Sequence, residues 1–244
     1  RMPNHTYNEY QIRKDEPVNA RYYYRTNGLV NLDKSNMPSY QPEAYQKPGC
    51  PIIVDLNGDG LITVEDVDMK NVIPSLYWGF GNTFTYKNWD LDVFIYSQLG
   101  VDKYNDVYSW TSGRGLGNQT NNMSVYIKDV WHSELNPNGT IPGIAYEMAS
   151  VSLPGGAGTD IGYENSSFVR VRNITLGYNF KPNQLGALSK LLSGIRVYVD
   201  VQNPFTFTGY TGLDPEVNTG GNYKGGKAEY PQTRTFSLGA KLSF

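Results

Sequence analysis

Alternation of apolar and polar residues is the dominant pattern of this chain, and it is clearest at the C-terminal end. Phe236, Leu238, Ala240, Leu242 and Phe244 alternate with Ser237, Gly239, Lys241 and Ser243, a period of two that predicts a strand with one apolar face. The same pattern sets Ile195, Val197, Val199 and Val201 against Arg196, Tyr198, Asp200 and Gln202, and sets Ile174, Leu176, Tyr178 and Phe180 against Thr175, Gly177 and Asn179. Residues 76–99 read as a hairpin turning at Lys87-Asn88. Trp78, Phe80, Phe84 and Tyr86 share a face of its first strand, and Leu91, Val93, Ile95 and Leu99 share one of its second. The predicted strands are therefore 76–87, 89–99, 167–181, 194–204 and 232–244, with weaker ones within 7–12 and 21–30 of an N-terminal region, 1–75. Arg170 and Arg172 fall on the apolar parity of Ile174, which predicts either a bulge ahead of that run or arginines lying beyond the apolar band.

The connections come in two lengths. Lys87-Asn88 is minimal and 181–193 is modest, with Leu185 to Leu192 read as a helical turn; 100–166 and 205–231 are long, rich in Gly, Asn, Pro and Tyr, and aperiodic. Connections of that length usually carry function. Strands running up and down would put the short turns on one side and the long loops on the other. Two architectures fit: a β-sandwich with its apolar faces turned inward, and a membrane barrel with them turned to lipid. Gly, Thr, Asp, Arg and Gln on the polar faces suit a hydrated lumen, and together with the terminal Phe244 they favour the barrel.

Composition narrows the choice. Among 244 residues, 21 Lys+Arg against 23 Asp+Glu leave a net charge of −2 with no run of like charge, so nothing points to nucleic acid or to a polybasic membrane anchor. Twenty Tyr, 26 Gly and 14 Pro favour an all-β chain of short strands and turns. The mean hydropathy of −0.49 fits a narrow apolar band diluted by polar faces and loops. No stretch approaches the roughly 18 consecutive apolar residues of a membrane-spanning helix. A single Cys, Cys50, and two histidines, His5 and His132, exclude an internal disulfide and a zinc site built on several thiolates.

Taken together, the blocks in this chain resemble the C-terminal region of the SusC-like (RagA-like) TonB-dependent outer-membrane transporters. The resemblance is carried by Asp55 to Thr63 (DLNGDGLIT), Tyr77 to Leu91 (YWGFGNTFTYKNWDL), Ser167 to Tyr178 (SFVRVRNITLGY), Gln202 to Tyr210 (QNPFTFTGY) with Gly212 to Glu216 (GLDPE), and Tyr230-Pro231 through Thr233 to Gly239 (TRTFSLG) and on to Phe244. In family order, these blocks cover roughly residues 20–244. The resemblance implies a plugged barrel of about 22 strands in the outer membrane of a Gram-negative bacterium. It imports oligosaccharides or peptides with energy from the TonB complex, under a SusD-like surface lipoprotein that acts as a lid. Against that pattern the sequence carries no plug, no TonB-box region and no earlier strands. The expectation is thus the closing strands and long extracellular loops of a chain several times longer, with the TonB contact outside it. The terminal aromatic, Phe244, resembles the family's barrel-assembly signal, or is a lipid-facing girdle residue. The competing reading is a soluble or cell-surface β-sandwich glycan-binding module with a dockerin-like calcium loop.

The sharpest chemical motif is Asp55-x-Asn57-x-Asp59-Gly60-x-Ile62-x-x-x-Asp66. Oxygens at positions 1, 3 and 5, the Leu61 carbonyl at 7 and a carboxylate at 12 match the coordination Ca²⁺ favours, so Asp55, Asn57, Asp59, Leu61 and Asp66 are candidate ligands of a structural ion. The alternative is an Asx-rich turn bonded to its own backbone. Catalysis is not expected: Asp214 and Glu216 merely flank Pro215, and nothing adjacent supplies a second component. Asp92, Arg196, Tyr198 and Asp200 are candidate substrate contacts near the mouth of the lumen. Tyr104, Tyr108, Trp110, Tyr126 and Trp131, in the longest loop, are candidates for the partner interface, or else pack that loop against itself.

Overall fold

In the computed structural model, residues 6–7, 10–11, 20–105, 108, 123–143, 153–154, 158–217 and 230–244 are described. Among these residues thirteen strands follow one another: β1 (Thr6–Tyr7), β2 (Tyr10–Gln11), β3 (Arg21–Tyr24), β4 (Thr26–Leu29), β5 (Pro51–Ile53), β6 (Val67–Lys70), β7 (Leu76–Tyr86), β8 (Trp89–Leu99), β9 (Asp102–Tyr104), β10 (Tyr163–Asn165), β11 (Phe168–Phe180), β12 (Gly194–Thr208) and β13 (Thr235–Ser243). Short 3-10 turns, among them Pro182–Gln184 and Gly186–Lys190, lie between them. No helix among the described residues is long and apolar enough to cross a membrane. The chain divides into two compact units, one built on residues 1–73 and 101–165 and the other on 74–100, 166–218 and 229–244.

The second unit is one antiparallel sheet in the order β13-β12-β11-β8-β7. Its register explains the alternation in the sequence. One row across all five strands reads Phe84, Leu91, Leu176, Val199, Leu238, and the next reads Thr83, Asp92, Thr175, Asp200, Ser237. Neighbouring rows project to opposite faces, so one face is apolar across its whole width and the other is polar. The apolar face is open: Phe84 is 58% exposed, Leu176 45%, Val199 47% and Leu238 77%. Burying each such side chain is worth about 1.5–3 kcal/mol, so a face this wide is suited to an apolar medium. A sandwich would cover Leu238 and Leu242 with a second sheet; here both are exposed. Strands of 11, 11, 13, 15 and 9 residues match the 9–11 or more that a tilted strand needs to cross a bilayer.

The bulge before Ile174 is present. Val171 registers with Ile95 and Asn173 with Phe94, leaving Arg172 as the additional residue of β11. That single residue reverses the parity, so Arg170 and Asn173 lie on the polar face while Val171 and Ile174 lie on the apolar one. On the other side of β11, β12 answers with a left-handed Asn203 (φ 49°) followed by Pro204, a proline that a central strand tolerates only at such an irregularity. Beyond it the pairing resumes, Phe205 to Val171 and Thr208 to Phe168. The second long connection therefore begins after Thr208, not at 205 as the alternation suggests, and β13 begins at Thr235. The two-residue hairpin turn holds, with Tyr86 paired to Trp89 and Lys87 at φ 56°.

The first unit carries small two-stranded pairings, β3 with β6, β4 with β5 and β9 with β10, beside the β1–β2 pair. The Arg21–Tyr24 strand is buried on both faces. Tyr22 and Tyr24, two apart, enter a core with Ala20, Tyr45, Cys50, Ile53, Val67 and Leu153, while Tyr23 stacks on Tyr163 at 4.3 Å between ring centroids and shares a hydroxyl–hydroxyl hydrogen bond with it. The Tyr24 hydroxyl lies 2.9 Å from both the Thr63 and the Pro154 carbonyl oxygens. Burial, reinforced by the charge of Asp66, pushes its pKa up to about 12.

Candidate functional site

The polar face of the five-stranded sheet is a continuous hydrogen-bonded surface. At its short-turn end Arg196 of β12 reaches across β11 to Asp90 of β8, with Nε 3.2 Å from both carboxylate oxygens and Nη2 also bonded. Asn179 donates to Asp90 Oδ1 at 2.6 Å. The Arg196 guanidinium sits 5.0 Å over the Tyr198 ring, and that ring lies against Gly239 of the next strand. Midway along, Thr83 donates to Asp92 at 2.5 Å and Thr175 to Asp200 at 2.6 Å, with Asn173 donating to Thr175 at 2.8 Å. Asp92, Arg196, Tyr198 and Asp200 thus share this face. The structure corrects their height: β12 starts at Gly194, directly after the short connection, so Arg196 and Tyr198 stand at the short-turn end and not near the long loops.

At the long-loop end stand Arg170 and Arg172, the two arginines that break the apolar parity of β11, with Asp214 and Glu216, from which no catalysis is expected. Arg170 is 2% exposed, and all three nitrogens of its guanidinium donate. Nε donates to Thr206 Oγ1 at 2.9 Å, Nη2 to both oxygens of Asp214 at 3.0 Å, and Nη1 to Glu216 Oε2 at 2.6 Å. Arg172 binds the other oxygen of Glu216 and lies 5.4 Å over the Tyr96 ring. Asp214 also accepts from the backbone N–H groups of Glu216 (2.8 Å), Val217 (3.3 Å) and Gln232 (2.9 Å). Burial pushes its pKa up, but these amides and the Arg170 guanidinium outweigh it and hold the carboxyl below its ordinary value. Asp214 and Glu216 are therefore the counter-ions of two arginines and not an acid/base pair.

In the first unit, the Asp55–Asp66 loop is folded on its own side chains. Asp55 accepts from the amides of Gly58 (2.7 Å) and Gly60 (2.8 Å), Asn57 Oδ1 from Asp59, and Asp59 Oδ1 from Leu61. Fully buried Asp66 accepts four bonds, from the amides of Leu56, Asn57 and Thr63 and from the Thr63 hydroxyl. Burial raises its pKa, yet those donors bring it below the ordinary value. Two of these, from the Leu56 and Thr63 amides, are short (3.0 and 2.8 Å), so each carboxylate oxygen of Asp66 is already turned to the loop's own backbone. Among the described residues no group of three or more His, Cys, Asp and Glu is placed to hold a metal. As arranged the set does not fit the calcium shell that the spacing implies, and a calcium ion here rests on the spacing alone.

The loop aromatics are divided. Tyr104 stacks on Tyr163 at 5.1 Å, and the Trp131 ring lies against Gly49 and Gly143, so both make contacts within the unit. Tyr108 and Tyr126 meet edge to face at 5.7 Å, with Tyr126 40% exposed. Trp110 lies outside the described residues. Phe244, 84% exposed, follows β13 directly.

An antiparallel sheet with one exposed apolar face and one ion-paired polar face defines a section of the wall of a membrane β-barrel. Comparison with known proteins gives that wall its kin, although no family model matches the chain. It is 33% identical over 208 residues to the TonB-dependent receptor SusC of Bacteroides thetaiotaomicron, a match covering 83% of this chain and 19% of that receptor. It is 28% identical over 242 residues to the TonB-dependent receptor P3 of Formosa agariphila, covering 96% of this chain and 23% of the relative. Among solved structures, the RagAB peptide transporter superposes with a TM-score of 0.64 at 23% identity, over 93% of this chain and 23% of that one. The chain belongs to the SusC-like TonB-dependent receptors. It spans about a fifth of the length of the curated relatives it matches.

Proposed function

We propose that this chain forms the C-terminal wall and loops of an outer-membrane importer of a Gram-negative bacterium. The importer is energised through TonB, works with a SusD-like lipoprotein over its mouth, and carries oligosaccharides or peptides. The observation that carries the reading is the five-strand sheet whose apolar face is open while its polar face is cross-linked by the Arg196–Asp90 and Arg170–Asp214 pairs. Such a surface suits lipid on one side and a hydrated passage on the other. Membership of the SusC-like receptors supports the dependence on TonB and the lipoprotein partner, and the likeness to a peptide transporter supports cargo of oligomeric size. The chain's part is to bind, guide and exclude, and no step of bond-making is assigned to it.

The test uses the full-length receptor, tagged on its chromosomal copy. It is expected in the outer-membrane fraction, extractable only by detergent and migrating differently on gels before and after boiling. A SusD-like lipoprotein should co-purify with it. Deleting the receptor or TonB should abolish growth on the same members of a panel of oligosaccharides and peptides offered as sole nutrient. A receptor recovered in the soluble fraction, or growth on the whole panel without TonB, would overturn the proposal.

A further inference from the structure

We infer that Asp214 and Glu216 form a latch that folds the connection after β12 inward onto the polar face and fastens both of its legs there. Arg170 registers with Tyr96 on one side and Thr206 on the other, so its side chain rises from the polar face of β11, one strand back from the strand that the connection leaves. For Asp214 to meet it, the segment Gly209–Val217 must turn back over the sheet and not away from it. The outgoing leg is held by the amides of Glu216 and Val217, and the returning leg, just ahead of β13, by the amide of Gln232; all three donate to Asp214. One carboxylate thus joins the departure from β12, the approach to β13 and the wall between β8 and β12.

The electrostatics favour a lock over a ligand site. Among the described residues two guanidinium groups face two carboxylates, so their charges balance. Arg170 and Asp214 are both buried. Parting them would strand a desolvated charge, and that penalty, more than the attraction itself, keeps such pairs closed. Arg172 is half-exposed and stacked on Tyr96; it holds the second oxygen of Glu216, outside the buried Arg170–Asp214 pair. The latch keeps this part of the connection a fixed wall of the passage, not a moving gate.

The test is protease accessibility in the full-length receptor, in outer-membrane vesicles, with cleavage sites mapped by mass spectrometry. Asp214→Asn keeps the shape and removes the charge, and Glu216→Gln loosens only the outer half. Each is expected to raise the rate of proteinase K cleavage within 209–217 about tenfold or more, with cleavage elsewhere and the heat-dependent gel shift unchanged. Where Asp214→Asn fails to assemble, Glu216→Gln and Arg172→Gln read the same segment. Cleavage of 209–217 at the wild-type rate in the assembled variants would overturn the latch, as would an equal rise along the entire chain. The assay reads the loop and not import, so it stands or falls apart from the transport reading.

Discussion

Gly177 lies directly beneath the Arg196 guanidinium: a Cβ added there would meet Arg196 Nε at 2.7 Å and Asp90 Oδ2 at 2.6 Å. The ion pair crosses β11 at the one position where that strand offers no side chain. Gly177→Ala should therefore displace the pair and destabilise the assembled receptor by about 1–3 kcal/mol, the cost of overpacking a close contact. Urea unfolding in lipid vesicles measures it. Because alanine and Asp90→Asn disturb one interaction, their effects should combine to less than their sum; full additivity would mean that the pair does not depend on the glycine.

The two faces of β13 should answer differently to charge. Leu238→Arg places a cation on the apolar face and is expected to cost about 2–4 kcal/mol if it lies near the bilayer midplane. Ser237→Arg, one residue away and on the polar face, should cost about 0.5 kcal/mol or less. Equal costs in the vesicle unfolding assay would contradict the assignment of faces.

Asp66 holds its loop by four accepted bonds. Asp66→Ala removes the acceptor of three backbone amides and of the Thr63 hydroxyl and should lower stability by about 1–3 kcal/mol, with or without calcium present. Calorimetric titration separates the two accounts of the motif. A saturable calcium heat that is lost on Asp59→Ala would establish the ion; a self-bonded turn gives none.

The carboxyls of Asp66 and Asp214 both titrate below their ordinary value. A depressed folded-state pKa contributes stability above the unfolded value, near 4, that is lost as pH falls through the folded one. Acidification below about pH 4 should thus loosen the 55–66 and 209–217 segments before the sheet, as hydrogen exchange can follow. Tyr24 has the opposite sign. With its pKa raised from 10.0 to about 12, its contribution is complete below pH 10 and is lost as pH rises through 12.

The sheet was readable from sequence because most rows keep one chemical character across the strands, so alternation survives where single residues such as Asn82 and Phe94 deviate. Its local failures have physical causes. β12 runs to Thr208 because pairing resumes beyond Asn203-Pro204, and proline in a strand normally signals an end. Strands β5, β6, β9 and β10 have three or four residues each, too few for a period to show. Arg170 looked like an anomaly in an apolar series, and only the single-residue bulge at Arg172 turns it to the polar side. Its partners lie 44 and 46 positions away, a pairing that local spacing cannot reveal. The heights of Arg196 and Tyr198 follow from where β12 begins, which the direction of the chain already implied.

Asp214 also ties two strands together beyond their ladder. Because one carboxylate accepts from Val217 after β12 and from Gln232 before β13, the spacing of these strands at the long-loop end is held by a side chain as well as by backbone pairing. An edge fixed in this way resists splaying where the hydrogen-bonded register has already run out.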